Sequence, residues 1–300
     1  MKQKQKKENI FKKFIYIFIV LIFFIFLFEL IFLIFISIKK VKKPYLITTW
    51  QPYYKRLRSM SVYNDHLFIC DEELRTVKVC NSLTGEEKFS FQFVNKPLWA
   101  AENSKKEIFV IVENENKIYK ISDNKKEAIN LDNITPLNLA IDKKDNIFLF
   151  DKNSKDIIKI SGGFDKDFLL FFNTKFYNFP SCIIIGGDEK LYVRINQNNF
   201  IQLLVFDEYG KLVNNLKLMQ IKKPYFLSNV VVDIKGNIYI ENYENHLIYV
   251  FNKNGENIGI FEKDIDNKKI FKWPSLIGFS YNKIYLAVPE ICIIEPINYD

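Results

Sequence analysis

The residues of this 300-residue chain whose types could do chemistry are few: two histidines, four cysteines, and a scatter of carboxylates and aromatics at the ends of apolar runs. A catalytic zinc or a histidine-dependent lyase needs imidazoles that converge, and His66 and His246 each lack a second histidine at ligand spacing. His66 abuts one strand-like run and His246 begins another, places where an imidazole serves structure. Cys70, Cys80, Cys182 and Cys292 have no metal-ligand spacing and read as free buried thiols. If Cys70 and Cys80 lie on strands joined by a turn near Glu73, hairpin register pairs Cys70 with Thr76 rather than with Cys80. No Gly-x-Ser-x-Gly elbow and no phosphate loop occurs. The sequence therefore assigns no catalytic residue, no cofactor and no metal site, and favours a binding protein over an enzyme.

Binding chemistry is better represented. Asp71, Asp151 and Asn242 each close an apolar run, at positions where the other runs carry Val112, Ile195 and Val288. Three polar residues alternating with three apolar ones could line a ligand-coordinating mouth, or the acids and amide could cap tight turns, as such side chains do routinely. Trp99, Tyr177, Phe179, Tyr225, Phe226 and Trp273 lie near the starts of apolar runs. They could ring the same mouth and stack on a sugar, peptide or hydrophobic partner, or they could fill space between packed sheets. The candidate binding set is Asp71, Asp151, Asn242, Trp99, Trp273 and Tyr225.

What must position these residues is a repeat. An aliphatic–aromatic–aliphatic triplet begins at Leu67, Ile108, Ile147, Leu191, Ile238 and Ile284, in steps of 41, 39, 44, 47 and 46 residues. Pro97, Pro136 and Pro180 stand eleven residues before it and Pro274 ten before. After each proline comes a short apolar strand, then a polar turn such as Asp142–Asn146 or Asp233–Asn237, then the triplet strand. A third apolar strand follows, and glycines at 85, 162, 163, 210 and 255 mark a second hairpin turn into a fourth. Four strands per period of this size predict an all-β, six-bladed β-propeller over residues 45–300.

The segments Val230–Gly255 (VVVDIKGNIYIENYENHLIYVFNKNG) and Leu139–Ile160 (LAIDKKDNIFLFDKNSKDIIKI) resemble NHL repeats, with their Asp-x-x-Gly-Asn turn ahead of an aliphatic–aromatic–aliphatic strand. The likeness runs from about Arg56 to Asp300. It implies a six-bladed propeller with binding surfaces at its mouth. Six-bladed relatives include gluconolactonase-type hydrolases, with a metal held in the central channel by Glu, Asn and Asp, and lyases that depend on channel histidines. A membrane-tethered hydrolase or lyase of that kind is the alternative function. The sixth repeat stops soon after its third strand, and Tyr45–Trp50 is the extended segment left over to complete it. An unclosed ring would expose two unpaired edges.

The first 44 residues belong to another environment. Phe14–Ile38 is apolar except for Tyr16, Glu29 and Ser37, and as a helix would be about 37 Å long, enough to cross roughly 30 Å of hydrocarbon. It is too long for a signal-peptide core, and no small-residue cleavage site follows, so an uncleaved signal anchor is expected. Glu29 could pair with another span or be tolerated as a neutral acid. Residues 1–13 form a basic tail and residues 39–44 a short linker. Residues 1–43 hold ten lysines against Glu8 and Glu29, which is the whole formal charge of +8; the rest of the chain holds 33 groups of each sign. A neutral domain offers no electrostatic ground for nucleic-acid binding. Lysines flank the span on both sides, so the charge rule does not decide sidedness. The expectation is a single-pass cell-membrane protein with its domain outside the cytoplasm. The closing strand starts on the face opposite the candidate mouth, and that face is expected to turn towards the bilayer. Its partner would be a protein, peptide or glycan.

Overall fold

The computed structural model describes residues 23, 46–50, 52–123, 125–162, 168–173, 180–197, 200–220, 230–242, 247–261, 275–280, 282–288 and 290–294. The expected membrane span lies outside these residues apart from Phe23. Among the described residues, no helix is long and apolar enough to cross a membrane. The segment Lys43–Asn298 forms one compact unit.

Strand β1 (Leu46–Trp50) is followed by five sheets built from consecutive strands. The first holds β2 (Leu57–Tyr63), β3 (His66–Asp71), β4 (Thr76–Asn81) and β5 (Glu87–Gln92). The second holds β6 (Pro97–Glu102), β7 (Ile108–Val112), β8 (Lys117–Ser122) and β9 (Lys125–Asn130). The third holds β10 (Pro136–Ile141), β11 (Ile147–Asp151), β12 (Asp156–Ile160) and β13 (Phe168–Asn173). The fourth holds β14 (Pro180–Ile185), β15 (Leu191–Gln197), β16 (Phe200–Phe206) and β17 (Leu212–Gln220). The fifth holds β18 (Val230–Val232), β19 (Ile238–Asn242), β20 (Leu247–Phe251) and β21 (Asn257–Phe261). A sixth sheet joins β22 (Ser275–Ser280), β23 (Lys283–Val288) and β24 (Glu290–Ile294) to β1, which pairs antiparallel with β24 through Trp50 and Ile291 at one end. The first strand of every sheet touches the first strands of the sheets on either side, and β22 touches β2. The result is an all-β propeller of six four-stranded sheets around an axis.

Burial follows from this arrangement. A second strand has a sheet against each of its faces, so β3, β7 and β11 are buried at every residue. A fourth strand is the rim, and β9 (KKEAIN) exposes all but one residue. Apolar clusters fill the wedges between sheets. Phe68, Cys70, Val77 and Val79 of the first sheet meet Ala100, Ile108, Val110 and Val112 of the second. Between the third and fourth, Phe171 meets Phe206 edge-on at 5.9 Å, and Phe172 lies 4.6 Å from the same ring. Pro97, Pro136 and Pro180 each occupy the first residue of an innermost strand, where a missing N–H breaks no ladder.

Register corrects one sequence expectation. Cys70 pairs with Val77, and Asp71 is the residue opposite Thr76. The turn is the four residues 72–75, closed by Arg75 at φ 56°, and this moves the pairing by one. Cys70 and Cys80 are not cross-strand partners. Burial pushes their thiols up, to about 12 for Cys70 and about 11 for Cys80.

Candidate functional site

We call upper the face that carries the turns from second to third strands and the segments leading into each new sheet. The lower face carries the other two sets of turns.

The lower turns repeat one device. Asp142 Oδ1 accepts the N–H of Lys144 and Asn146 at 2.9 and 2.8 Å, while Oδ2 accepts Asn146 Nδ2 at 2.7 Å. Asp233 does the same for Lys235 and Asn237; Asn103 Oδ1 likewise accepts the N–H of Lys105 and Glu107, while its Nδ2 donates to Glu107 Oε2. The fourth residue of this turn has positive φ. Gly236 adopts it without a steric penalty, whereas Lys106, Asp145 and Glu189 adopt it at roughly 1–2 kcal/mol. The turn therefore persists where its glycine does not.

On the upper face, Asp71 is wholly buried and its carboxylate is fully engaged. Oδ2 accepts Lys55 N–H at 2.6 Å; Oδ1 accepts the N–H groups of Arg56, Glu73 and Leu74 at 3.3, 3.0 and 3.0 Å. Burial pushes its pKa up, but the four amides outweigh it and hold the group below the usual carboxylate range. Asp151 is its counterpart, accepting Thr135 N–H at 2.8 Å with those of Asn153 and Ser154; burial pushes its pKa up, and the Ser154 side chain together with these amides outweighs it and holds the group below the usual range. Both aspartates tie the turn after a second strand to the segment that leads into the first strand of the same sheet.

The other candidates are dispersed. Asn242 ends β19 opposite Leu247, and its side chain lies outside the described residues. Tyr225 and Trp273, with Tyr177, Phe179 and Phe226, also lie outside them. Trp99 does not stand at the upper mouth. It is the third residue of an innermost strand and packs with Leu139, Ile141 and Tyr63 in the wedge between the second and third sheets. Its indole N–H faces the Tyr63 hydroxyl without reaching hydrogen-bond geometry.

One charged cluster has no signature in the sequence. His66 Nδ1 lies 2.9 Å from Glu102 Oε2, and Lys88 Nζ lies 2.9 Å from His66 Nε2 and 3.2 Å from Asp65 Oδ2. An ammonium can only donate, so Nε2 accepts and Nδ1 carries the proton that it gives to Glu102. Glu102 is buried, and burial raises its pKa against the pull of His66. The cluster bolts the first sheet to the second. Among the described residues, no serine, threonine or cysteine hydrogen-bonds to His66 Nε2, the position a nucleophile would need.

Along the axis lies a cavity of about 370 Å³ to which all six innermost strands contribute. Its walls include Val62, Leu139, Ile141, Ile183, Val231 and Phe279, and Trp99 borders it. Among the described residues, its lining takes Asn64, Lys143 and Gly187 from lower turns and nothing from upper turns, so one end of it lies among the lower turns. Among the described residues, no group of three or more His, Cys, Asp or Glu is placed to hold a metal ion. The described lining residues are carbon-rich with hydroxyls and one lysine, a set that does not fit the carboxylate-held channel metal of the gluconolactonase-type propellers.

The chain matches no protein-family model and no curated protein sequence. Its fold is shared by many solved structures. The virginiamycin B lyase of Staphylococcus aureus with quinupristin superposes with a TM-score of 0.57 at 16% identity, over 80% of each chain. A gluconolactonase from Xanthomonas campestris gives 0.63 at 11% identity, over 86% of this chain and 91% of that one. A luciferin-regenerating enzyme gives 0.59 at 10% identity, over 84% and 95%. At such identities the likeness defines a class, the β-propellers, and carries no activity with it.

Proposed function

We propose that this protein is a membrane-tethered, six-bladed propeller that binds a protein, peptide or glycan on its upper face, outside the cytoplasm. The observation that carries the reading is where the chain places its irregular length. Among the described residues, the lower turns run from two to five residues. In sequence, the interval between the last strand of one sheet and the first strand of the next lengthens from four residues after β5 and five after β9 to six after β13, nine after β17 and thirteen after β21. Long connections between the elements of a rigid scaffold are where recognition is commonly built. The apolar run Phe14–Ile38 supports the tether. Because β1 starts on the lower face a few residues after that run, the upper face is the one proposed to point away from the bilayer.

The test uses the full chain in lipid nanodiscs on peptide and glycan arrays, beside a variant whose 262–274 is replaced by a five-residue Gly/Ser linker. Binding that is lost in the variant and kept in Tyr209→Ala, a lower-turn change, supports the reading. Binding that ignores the loop overturns it. So would stoichiometric Ca²⁺ or Zn²⁺ in the purified protein together with lactone hydrolysis, which would favour the enzymes whose fold it shares. Cleavage of the domain by protease added to intact cells is expected, and protection would refute the sidedness.

A further inference from the structure

We infer that the axial cavity is a second binding site, on the opposite face, and that it takes a free medium-chain carboxylate: alkyl chain inside, carboxylate at the lower mouth. A cavity walled by aliphatic side chains excludes water in favour of apolar matter, because water finds no partners there. At about 370 Å³ the space falls at the low end of the roughly 300–1,000 Å³ of small-molecule pockets. That size suits a short alkyl chain and not a two-chain lipid.

Two serines in the lining have already committed their protons. Ser61 Oγ donates to Ala100 O at 2.5 Å and Ser280 Oγ to Asn64 O at 2.8 Å, so neither needs a ligand or a water to satisfy its donor. The wall is thus chemically quiet, and the polar demand is confined to the mouth. There Lys143 is the one cationic lining group among the described residues. Its present partner is Glu189, and both side chains are more than half exposed. A surface pair of that kind is worth about 0–1 kcal/mol, so the ammonium can turn to a carboxylate seated at the mouth at little cost. Asn64, of another lower turn, also belongs to the lining and carries a neutral amide donor. Apolar walls, a small volume and a single cation at the opening together select an apolar monoanion.

The experiment uses the full chain in nanodiscs of saturated lipid, with ω-bromodecanoate as probe, because bromine quenches an indole in contact with it and Trp99 borders the cavity. The expected result is saturable quenching that unlabelled decanoate reverses and that disappears in Trp99→Phe. Val231→Phe, which fills the cavity, should abolish it. Lys143→Glu, on an exposed turn that does not bear on folding, should weaken decanoate at least tenfold while changing decanol less than twofold. Quenching that survives Trp99→Phe would mean partition into the bilayer and would overturn the site. Equal loss of decanoate and decanol in Lys143→Glu would overturn the carboxylate. Quenching of Trp99 by brominated lipid in the disc, with no free acid added, would assign the space to a membrane acyl chain instead. Failure here leaves the upper-face reading untouched, since the two sites share no residue.

Discussion

Replacing Asp71 separates its two possible roles, ligand group and turn cap. Asp71→Ala removes an acceptor for four backbone N–H groups, from Lys55, Arg56, Glu73 and Leu74. A hydrogen bond to a charged group contributes about 1.5–3 kcal/mol. The four are not additive, and freed amides near the surface can be hydrated, so a net loss of about 2–4 kcal/mol is expected. Asp71→Asn keeps an oxygen for the three amides that Oδ1 serves but turns an NH₂ towards Lys55 N–H, and should cost about 1–2 kcal/mol. For a domain of this size, each kcal/mol lowers Tm by roughly 2–4 °C. The pH dependence follows from the depressed pKa. The unfolded carboxyl titrates near 3.9, so the contribution is fully present above about pH 5 and is lost as pH falls through the lower folded pKa. Urea unfolding from pH 2 to 7 should therefore show the wild type and Asp71→Ala converging in acid. A change below 0.5 kcal/mol at pH 7, or a gap independent of pH, would refute the cap.

Two further perturbations test how sheets are joined. A Cβ on Gly85 would lie 2.3 Å from Trp50 Cε3 on the closing strand, at φ 77°, so Gly85→Ala should cost about 2–4 kcal/mol by chemical denaturation. Adding Trp50→Ala should remove the clash but not the backbone strain, leaving a destabilised variant in which the two changes are non-additive. A double-mutant cycle of His66→Ala and Glu102→Ala should give a coupling of about 1–3 kcal/mol at pH 7. Because burial raises Glu102, its ionised form is penalised in the fold, and that part of stability fades as pH rises through the folded pKa. Glu102→Gln should accordingly lose least at high pH; a loss that grows with pH would contradict the assignment.

The repeat was legible because its spacing is set by local chemistry. Prolines begin β6, β10 and β14, and triplets with sheets on both faces read as unbroken apolar runs. The lower turns were legible only where glycine or the Asp–Asn pair survives, as at Asp233–Asn237; in the second sheet the same turn is built from Asn103, Lys106 and Glu107. The roles of Asp71 and Asp151 could be posed but not decided, since Lys55 and Thr135 lie about one hairpin away in sequence and only folding aims them. Trp99 could be read at the mouth or in a wedge, because phase along a strand does not say into which wedge a side chain turns; it packs in the wedge. The Glu102 partner of His66 is 36 residues distant, beyond any motif. The axial cavity had no trace at all, because each innermost strand supplies only a few of its atoms.

The pairing of β1 with β24 has a kinetic side. Its two halves sit at opposite ends of the domain, so this contact carries the largest loop-closure entropy in the fold and should form late. Until Glu290–Ile294 has left the ribosome, Leu46–Trp50 has no partner, and both it and the outer edge of β23 are open to other chains. A nascent molecule is therefore most prone to misassociation in its final stretch of synthesis. Exchange of that first strand between neighbouring copies is the misfolding route to look for.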